Sequence, residues 1–186
     1  GLVSAEAATA IAAGLADFSP DWDDLALGMA RDGVVVPALL AQMRRCIAAP
    51  HDQALHKGAT SQDVIDTALV LQLAAVIAIF VARLTALLDA LDGLVDRHGG
   101  QVLMAHTRMQ RALPYTVGAK LTTWIAPLRR HLAGLQAVRG SLLVIQLGGP
   151  IGDRSSFGGQ GDAVARALAR HLDLGLAEPW QSARDP

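Results

Sequence analysis

The sequence predicts an all-α protein organised as a long-helix bundle that is completed by oligomerisation. Three observations predict it. Hydrophobic residues fill 52% of the 186 positions but aromatics only 4%, so the apolar content is chiefly Ala, Leu and Val, and Ala and Leu lead the helix-propensity ranking. From Asp63 to His98 nothing interrupts a helix except a single Gly93. No stretch shows the apolar–polar alternation of a half-buried strand.

Taken in order, residues 2–16 read as an amphipathic helix. Phe18-Ser-Pro-Asp-Trp22 breaks it and offers Ser19 or Asp21 as the next cap. A short helix over 22–31 ends near Gly33. A third spans Val36 to Ala49, with Pro37 tolerated in its first turn. Residues 50–61 form a polar turn. The long helix then runs to His98, where Gly99-Gly100 stops it; at 1.5 Å per residue it is about 50 Å long. Residues 101–113 read as a loop or extended link. Pro114 suits a helix start, and the helix over 115–138 contains Pro127, which predicts a kink. An apolar segment covers 141–147, a loop with six glycines covers 148–162, and a last helix covers Ala163 to Leu174.

Between Ala68 and Leu88 the long helix is apolar on nearly every face. A surface helix would show a polar stripe. So short a chain makes few helices to surround it, and other copies are the expected covering. The run is also about as long as a membrane span, roughly 20 residues. Gln72, Arg83 and Thr85 interrupt it, however, and its flanks carry Asp63, Asp66, Asp89, Asp92 and Asp96, where Lys or Arg would set an orientation. A core helix is the expected reading, with no membrane partner.

Composition excludes other classes. With 16 basic and 17 acidic residues and no basic block, nucleic acid is not an expected partner. Cys46 is the only cysteine, which rules out an internal disulfide and a Cys-rich metal site. No His-x-x-x-His spacing occurs, so neither metal nor cofactor is expected. The opening GLVSAEAATAIAAGLADF has no basic n-region and reads as helix rather than signal peptide; a cytoplasmic location is the expectation. The GGPIG loop lacks both the P-loop lysine and the dinucleotide fingerprint.

Two polar turns precede the long helices. In ALHKGATSQDVIDTALVLQL, residues 54–73, His56, Lys57, Thr60 and Ser61 gather before an apolar run. Thr60 and Asp63 have the spacing of a capping box, a plain helix start worth about 1 kcal/mol. That leaves Ser61, His56, Lys57 and the Gly58 turn without a role. A helix N-terminus presents free N–H groups and the positive end of the macrodipole. With two hydroxyls, an imidazole and an ammonium added, it suits a carboxylate. In the second turn, Met104 to Pro114, Arg108 could grip a carboxylate bidentately and Gln110 could donate to it, with Thr107 beside them. A solvated loop with scattered polar residues is the plainer reading of that segment. His51, His98, His131 and His171 read as surface residues.

HKGATSQDVIDTALVLQL resembles the first signature region of the fumarase/aspartase superfamily, and HTRMQRALPYTVGAK resembles the second. With PWQSARD near the end, the likeness within the superfamily is to its lactonizing cycloisomerase branch. That resemblance implies a helical homotetramer whose long helices form one central bundle, with active sites shared between subunits. It implies a small polycarboxylate substrate: one carboxylate of a 3-carboxymuconate adds to a double bond, giving a 4-carboxymuconolactone. His56, Thr107 and Arg108 then look like catalytic residues, and Lys57, Thr60, Ser61 and Gln110 like substrate-binding ones. Residues 1–50 look like the remainder of an N-terminal helical domain and 51–186 like an incomplete central bundle.

The chain also departs from the pattern. Many lyases of the superfamily carry histidine where Arg108 stands. Arginine does not release its proton, which speaks against an ordinary amine-releasing lyase and fits the cycloisomerase branch. Lys57 stands where an aromatic residue is common, and Gln181 where histidine is common. The serine-containing loop of the third signature is absent from the sequence, so the chain is expected to be a fragment with little activity of its own. A fumarate-releasing lyase, of adenylosuccinate or argininosuccinate type, and a non-catalytic oligomerisation module are the alternative expectations.

Overall fold

A computed structural model of the chain describes residues 2–176. It is mostly helical, as expected. The chain divides into two compact units, one made of the residues up to Leu71 and those from Leu143 on, the other of Gln72–Leu142.

The first unit opens with α1 (Ala5–Leu15), whose N-cap Ser4 hydroxyl accepts from the N–H of Ala7 at 3.1 Å. Next comes α2 (Trp22–Asp32), capped by Asp21, whose carboxylate accepts from the N–H groups of Asp23 and Asp24. Gly33 ends it in the left-handed conformation that favours glycine. The following helix, α3 (Val36–Arg45), packs on α2, where Gly28 sits so close to the Ala38 side chain that a Cβ would collide. Buried Gln42 joins the two: its amide oxygen accepts from Asp21 N–H at 2.9 Å and its nitrogen donates to Asp24 Oδ2 at 2.8 Å. The helix ends sooner than expected because the chain tightens into i→i+3 bonds at Cys46 and Ile47, dropping Ile47 into the core.

The long helix, α4 (Ser61–His98), starts in this unit. After Leu143 come a two-residue strand, β3 (Val144–Ile145), a glycine-rich loop with a short 3-10 turn (Ser155–Phe157), α6 (Gly161–Leu172) and β4 (Gly175–Leu176), which pairs in parallel with β3. Ile145, Leu147, Phe157, Ala165 and Ala169 form the core, and Leu2 and Ala59 pack against it. The apolar segment and last helix expected over 141–147 and 163–174 thus resolve into a short strand on each side of a helix two residues earlier.

In the second unit, the later turns of α4 pack on α5 (Val117–Leu142) through Leu88, Leu91, Leu121 and Ile125. Arg129 closes the pair with a 2.6 Å bond to Asp92. Pro127 lies inside α5, as the sequence indicates. Between the helices stands an antiparallel hairpin of β1 (Val102–Thr107) and β2 (Gln110–Thr116). This corrects the expectation of a loop or extended link followed by a helix start at Pro114. Nearly every residue of the hairpin is exposed, so no inward–outward alternation exists to be read. Pro114 is accommodated within the two-stranded ribbon, at Met104, where the register shifts. The cap of α5 is instead Thr116, whose hydroxyl accepts from Ala119 N–H at 3.1 Å.

Along α4 many apolar side chains remain uncovered. Leu69, Ile79 and Phe80 are each about half exposed. By length and composition α4 is long and apolar enough to cross a membrane, and it is the one such helix among the described residues. The core helix of a soluble assembly meets the same description.

Candidate active site

The turn before α4 brings His56, Lys57, Thr60 and Ser61 together within one loop. His56 takes a left-handed backbone conformation (φ 64°), uncommon for a residue with a side chain. Its Nε2 is buried without a hydrogen-bond partner. Lys57 Nζ donates to the Leu2 carbonyl at 3.0 Å. The N–H of Thr60 donates to Asp63 Oδ2 at 2.9 Å. The capping interaction at this helix start is therefore the return bond from the acid. Among the described residues the Thr60 and Ser61 hydroxyls have no partner, and they stand at the amino end of a 38-residue helix. Such an end presents N–H donors and partial positive charge to an anion.

Asp63 does more than cap. Its carboxylate also accepts from Gly148 N–H at 2.8 Å and Gly149 N–H at 3.0 Å, and the residue is only 4% exposed. One turn along, buried Thr67 exchanges two 3.0 Å bonds with the backbone of Gln146, donating to its carbonyl and accepting from its N–H. The glycine loop is in turn fastened to the polar turn. Ser156 donates to the Gly58 carbonyl at 2.5 Å. Gly58 (φ 82°) lies so close to the Phe157 ring that a Cβ would sit 2.8 Å from it. The sequence reading gives Asp63 only the cap and Thr67 no role, although a signal existed: the two are four apart, on one face of an otherwise apolar helix.

A hollow of about 330 Å3 lies beside the first turns of α4, walled by Ala59, Val64, Ala68, Leu71, Leu147 and Leu168. Asp63 and Thr67 reach it as well, but their polar atoms are committed to the loop. An aliphatic wall offers a carboxylate nothing. The polar chemistry of this region is confined to the helix end.

In the second unit, Thr107 and Gln110 face each other across the last register pair of the hairpin. Arg108 and Met109 make its two-residue tip, with Met109 left-handed (φ 66°). All four side chains are exposed. The hairpin thus presents Thr107, Arg108 and Gln110 at one end, free to meet a ligand or another chain. Among the described residues no group of His, Cys, Asp or Glu is placed to hold a metal. The stretch PWQSARD, with Gln181, lies outside the described residues.

A family model described as lyase matches residues 1–183. The chain belongs to the lyase family. It is 39% identical over 170 residues to a 3-carboxy-cis,cis-muconate cycloisomerase of Pseudomonas aeruginosa, an alignment covering 88% of this chain and 37% of that protein. The crystal structure of the 3-carboxy-cis,cis-muconate lactonizing enzyme from Pseudomonas putida superposes with a TM-score of 0.90 at 37% identity, covering 100% of this chain and 43% of that one. The β-carboxy-cis,cis-muconate cycloisomerase from Acinetobacter calcoaceticus gives a TM-score of 0.92 at 31% identity, covering 100% and 44%. The chain therefore spans about two-fifths of the length of these relatives.

Proposed function

We propose that this chain forms part of a cycloisomerase that converts 3-carboxy-cis,cis-muconate to 4-carboxymuconolactone in the breakdown of aromatic acids. The observation that carries the reading is the helix end where the Thr60 and Ser61 hydroxyls stand without a partner among the described residues, in a chain similar over most or all of its length to enzymes bearing that name.

In this reading the Thr60 and Ser61 hydroxyls and the N-terminal dipole of α4 hold one substrate carboxylate, with His56 beside it. Lys57 and Gln110 contribute further donors. Arg108 binds a second carboxylate bidentately and Thr107 orients it. An oxygen of a third carboxylate then adds to the carbon–carbon double bond. A carbon–oxygen bond forms, the π pair moves to the neighbouring carbon, and that carbon takes up a proton. Charge developing beside a carboxylate is stabilised by fixed donors. Arg108 serves this role and leaves the proton to another group, because a guanidinium does not release its own.

The uncovered apolar residues of α4 support assembly into a homotetramer in which active sites are shared between subunits. A cytoplasmic location, and function without cofactor, membrane or nucleic acid, complete the proposal. The test is to supply 3-carboxy-cis,cis-muconate to the protein as its gene encodes it and follow lactone formation. Lactone is the expected product. Fumarate release from a succinylated amine, with no lactone formed, would overturn the reading in favour of a lyase.

A further inference from the structure

Asp63 is a buried carboxylate that the proposed chemistry leaves unused. A helix cap alone does not call for it, since an acid at the third position of a helix performs that service in full contact with water. Two of its three N–H donors come from residues 85 and 86 positions further along the chain. Burying a charge is costly unless it is fully hydrogen-bonded, and here the bonds are made to the backbone of the glycine loop.

We propose that Asp63 is a positioning residue of the carboxylate site: by binding the Gly148–Gly149 backbone on one side and Thr60 N–H on the other, it sets where the Thr60 and Ser61 hydroxyls stand. The inference rests on the carboxylate-binding reading above. Those hydroxyls have no partner of their own among the described residues, so their place is set by the backbone that carries them. That backbone is held at two points. Asp63 takes the N–H of Thr60, and Ser156 takes the carbonyl of Gly58, 98 residues distant in sequence. Both points belong to one fastening, because Gly149 packs against Ser156 and the Gly58 carbonyl so tightly that a Cβ would strike each. Moving the glycine loop therefore moves the turn.

The probe is propane-1,2,3-tricarboxylate, titrated calorimetrically into the protein as its gene encodes it. Asp63→Asn keeps the shape but sets an NH2 donor against N–H donors. It is expected to weaken binding about tenfold or more, as small displacements of binding groups do, with helicity and assembly unchanged. Ser61→Ala is expected to weaken binding as well, and the double variant to lose less than the product of the two single losses, because part of the Asp63 effect is exerted on the Ser61 hydroxyl. Losses that multiply, or Asp63→Asn binding like the wild type, would overturn the positioning role. Should Asp63→Asn fail to fold, Ser156→Ala decides: about fivefold weaker binding is expected on the same reasoning, and unchanged binding overturns the proposal. A wild type that ignores the tricarboxylate, or a Ser61→Ala variant that binds it equally well, removes the carboxylate reading and this inference with it. A Ser61→Ala loss with both Asp63→Asn and Ser156→Ala intact removes this inference alone.

Discussion

Replacing Thr67 by valine keeps the branched shape of the side chain and deletes one oxygen. Thr67 is 7% exposed, and that oxygen makes both of its 3.0 Å bonds, one to each polar group of the Gln146 backbone. Each intramolecular bond contributes about 1 kcal/mol net, and a buried partner left unsatisfied adds about 1–3 kcal/mol more. Gln146 is only half-buried, so water can reach part of what is lost. The expected loss is therefore near the sum of the two bonds, about 2 kcal/mol, or roughly a thirtyfold change in the unfolding constant. Urea unfolding followed by circular dichroism measures it, at one protein concentration because the stability of an assembling protein depends on concentration. The midpoint should fall without a change in slope. Thr67→Ser, which retains the oxygen, should recover most of the loss. Hydrogen exchange across 144–149 should quicken in the valine variant alone. A valine variant within about 0.5 kcal/mol of wild type, the range of ordinary surface changes, would show that the loop does not depend on α4 for its place.

Arg108→Ala in the enzyme as its gene encodes it should lower kcat/KM for lactone formation about a hundredfold or more with the assembly intact by sedimentation; wild-type turnover would remove Arg108 from the site. Phe80→Asp tests the covering of α4. Phe80 is about half exposed in one copy, so the change is harmless to a monomer but places an unpaired charge inside a bundle. Dissociation into smaller species on sedimentation is expected, and an unchanged assembly would refute the oligomeric reading. The Ser155 hydroxyl, followed by its backbone N–H, holds the Asp153 carboxyl below the usual carboxylate range. Stability from this contact is present above the ordinary carboxylate pKa and is lost as pH falls through the lowered one. An NMR titration should show the low midpoint, and Ser155→Ala should move it upward.

Much of the fold was legible because its signals are local. Asp21, Gly33 and the Gly99-Gly100 pair mark helix ends by chemistry confined to a turn or two, and the uninterrupted run after Asp63 announces the long helix α4. What was not legible depends on residues far apart. The hairpin is exposed on both faces, so its strands carry no alternating pattern, and a proline in β2 imitates a helix start. For the candidate site, the polar turn could be found because His56, Lys57, Thr60 and Ser61 are crowded together. The task of Asp63 could not, because its partners Gly148 and Gly149 lie beyond the whole of α4, the hairpin and α5. The contact of Lys57 could not be read for a similar reason: the Leu2 carbonyl that it meets is 55 residues away.

Most polar groups of α4 lie towards its two ends, and those of the first turns stand where the proposed site requires them. Asp63 and Thr67 are buried and joined to the loop, and beyond Asp66 the only charged group before Asp89 is Arg83. A helix anchored by polar bonds at its first turns, packed on α5 at its last ones and apolar between them is held by its own chain towards both ends. On the oligomeric reading its middle, around Ile79 and Phe80, is left to partner helices of the same kind. That division would account for an apolar surface that a solitary chain leaves half exposed, while the hydroxyls at its start keep a fixed place. It also explains why Phe80→Asp and Asp63→Asn should separate cleanly. The first should break the assembly without disturbing the first turn. The second should disturb the turn without breaking the assembly, and a single variant that did both would argue that the first turn of α4 and its middle are not independent.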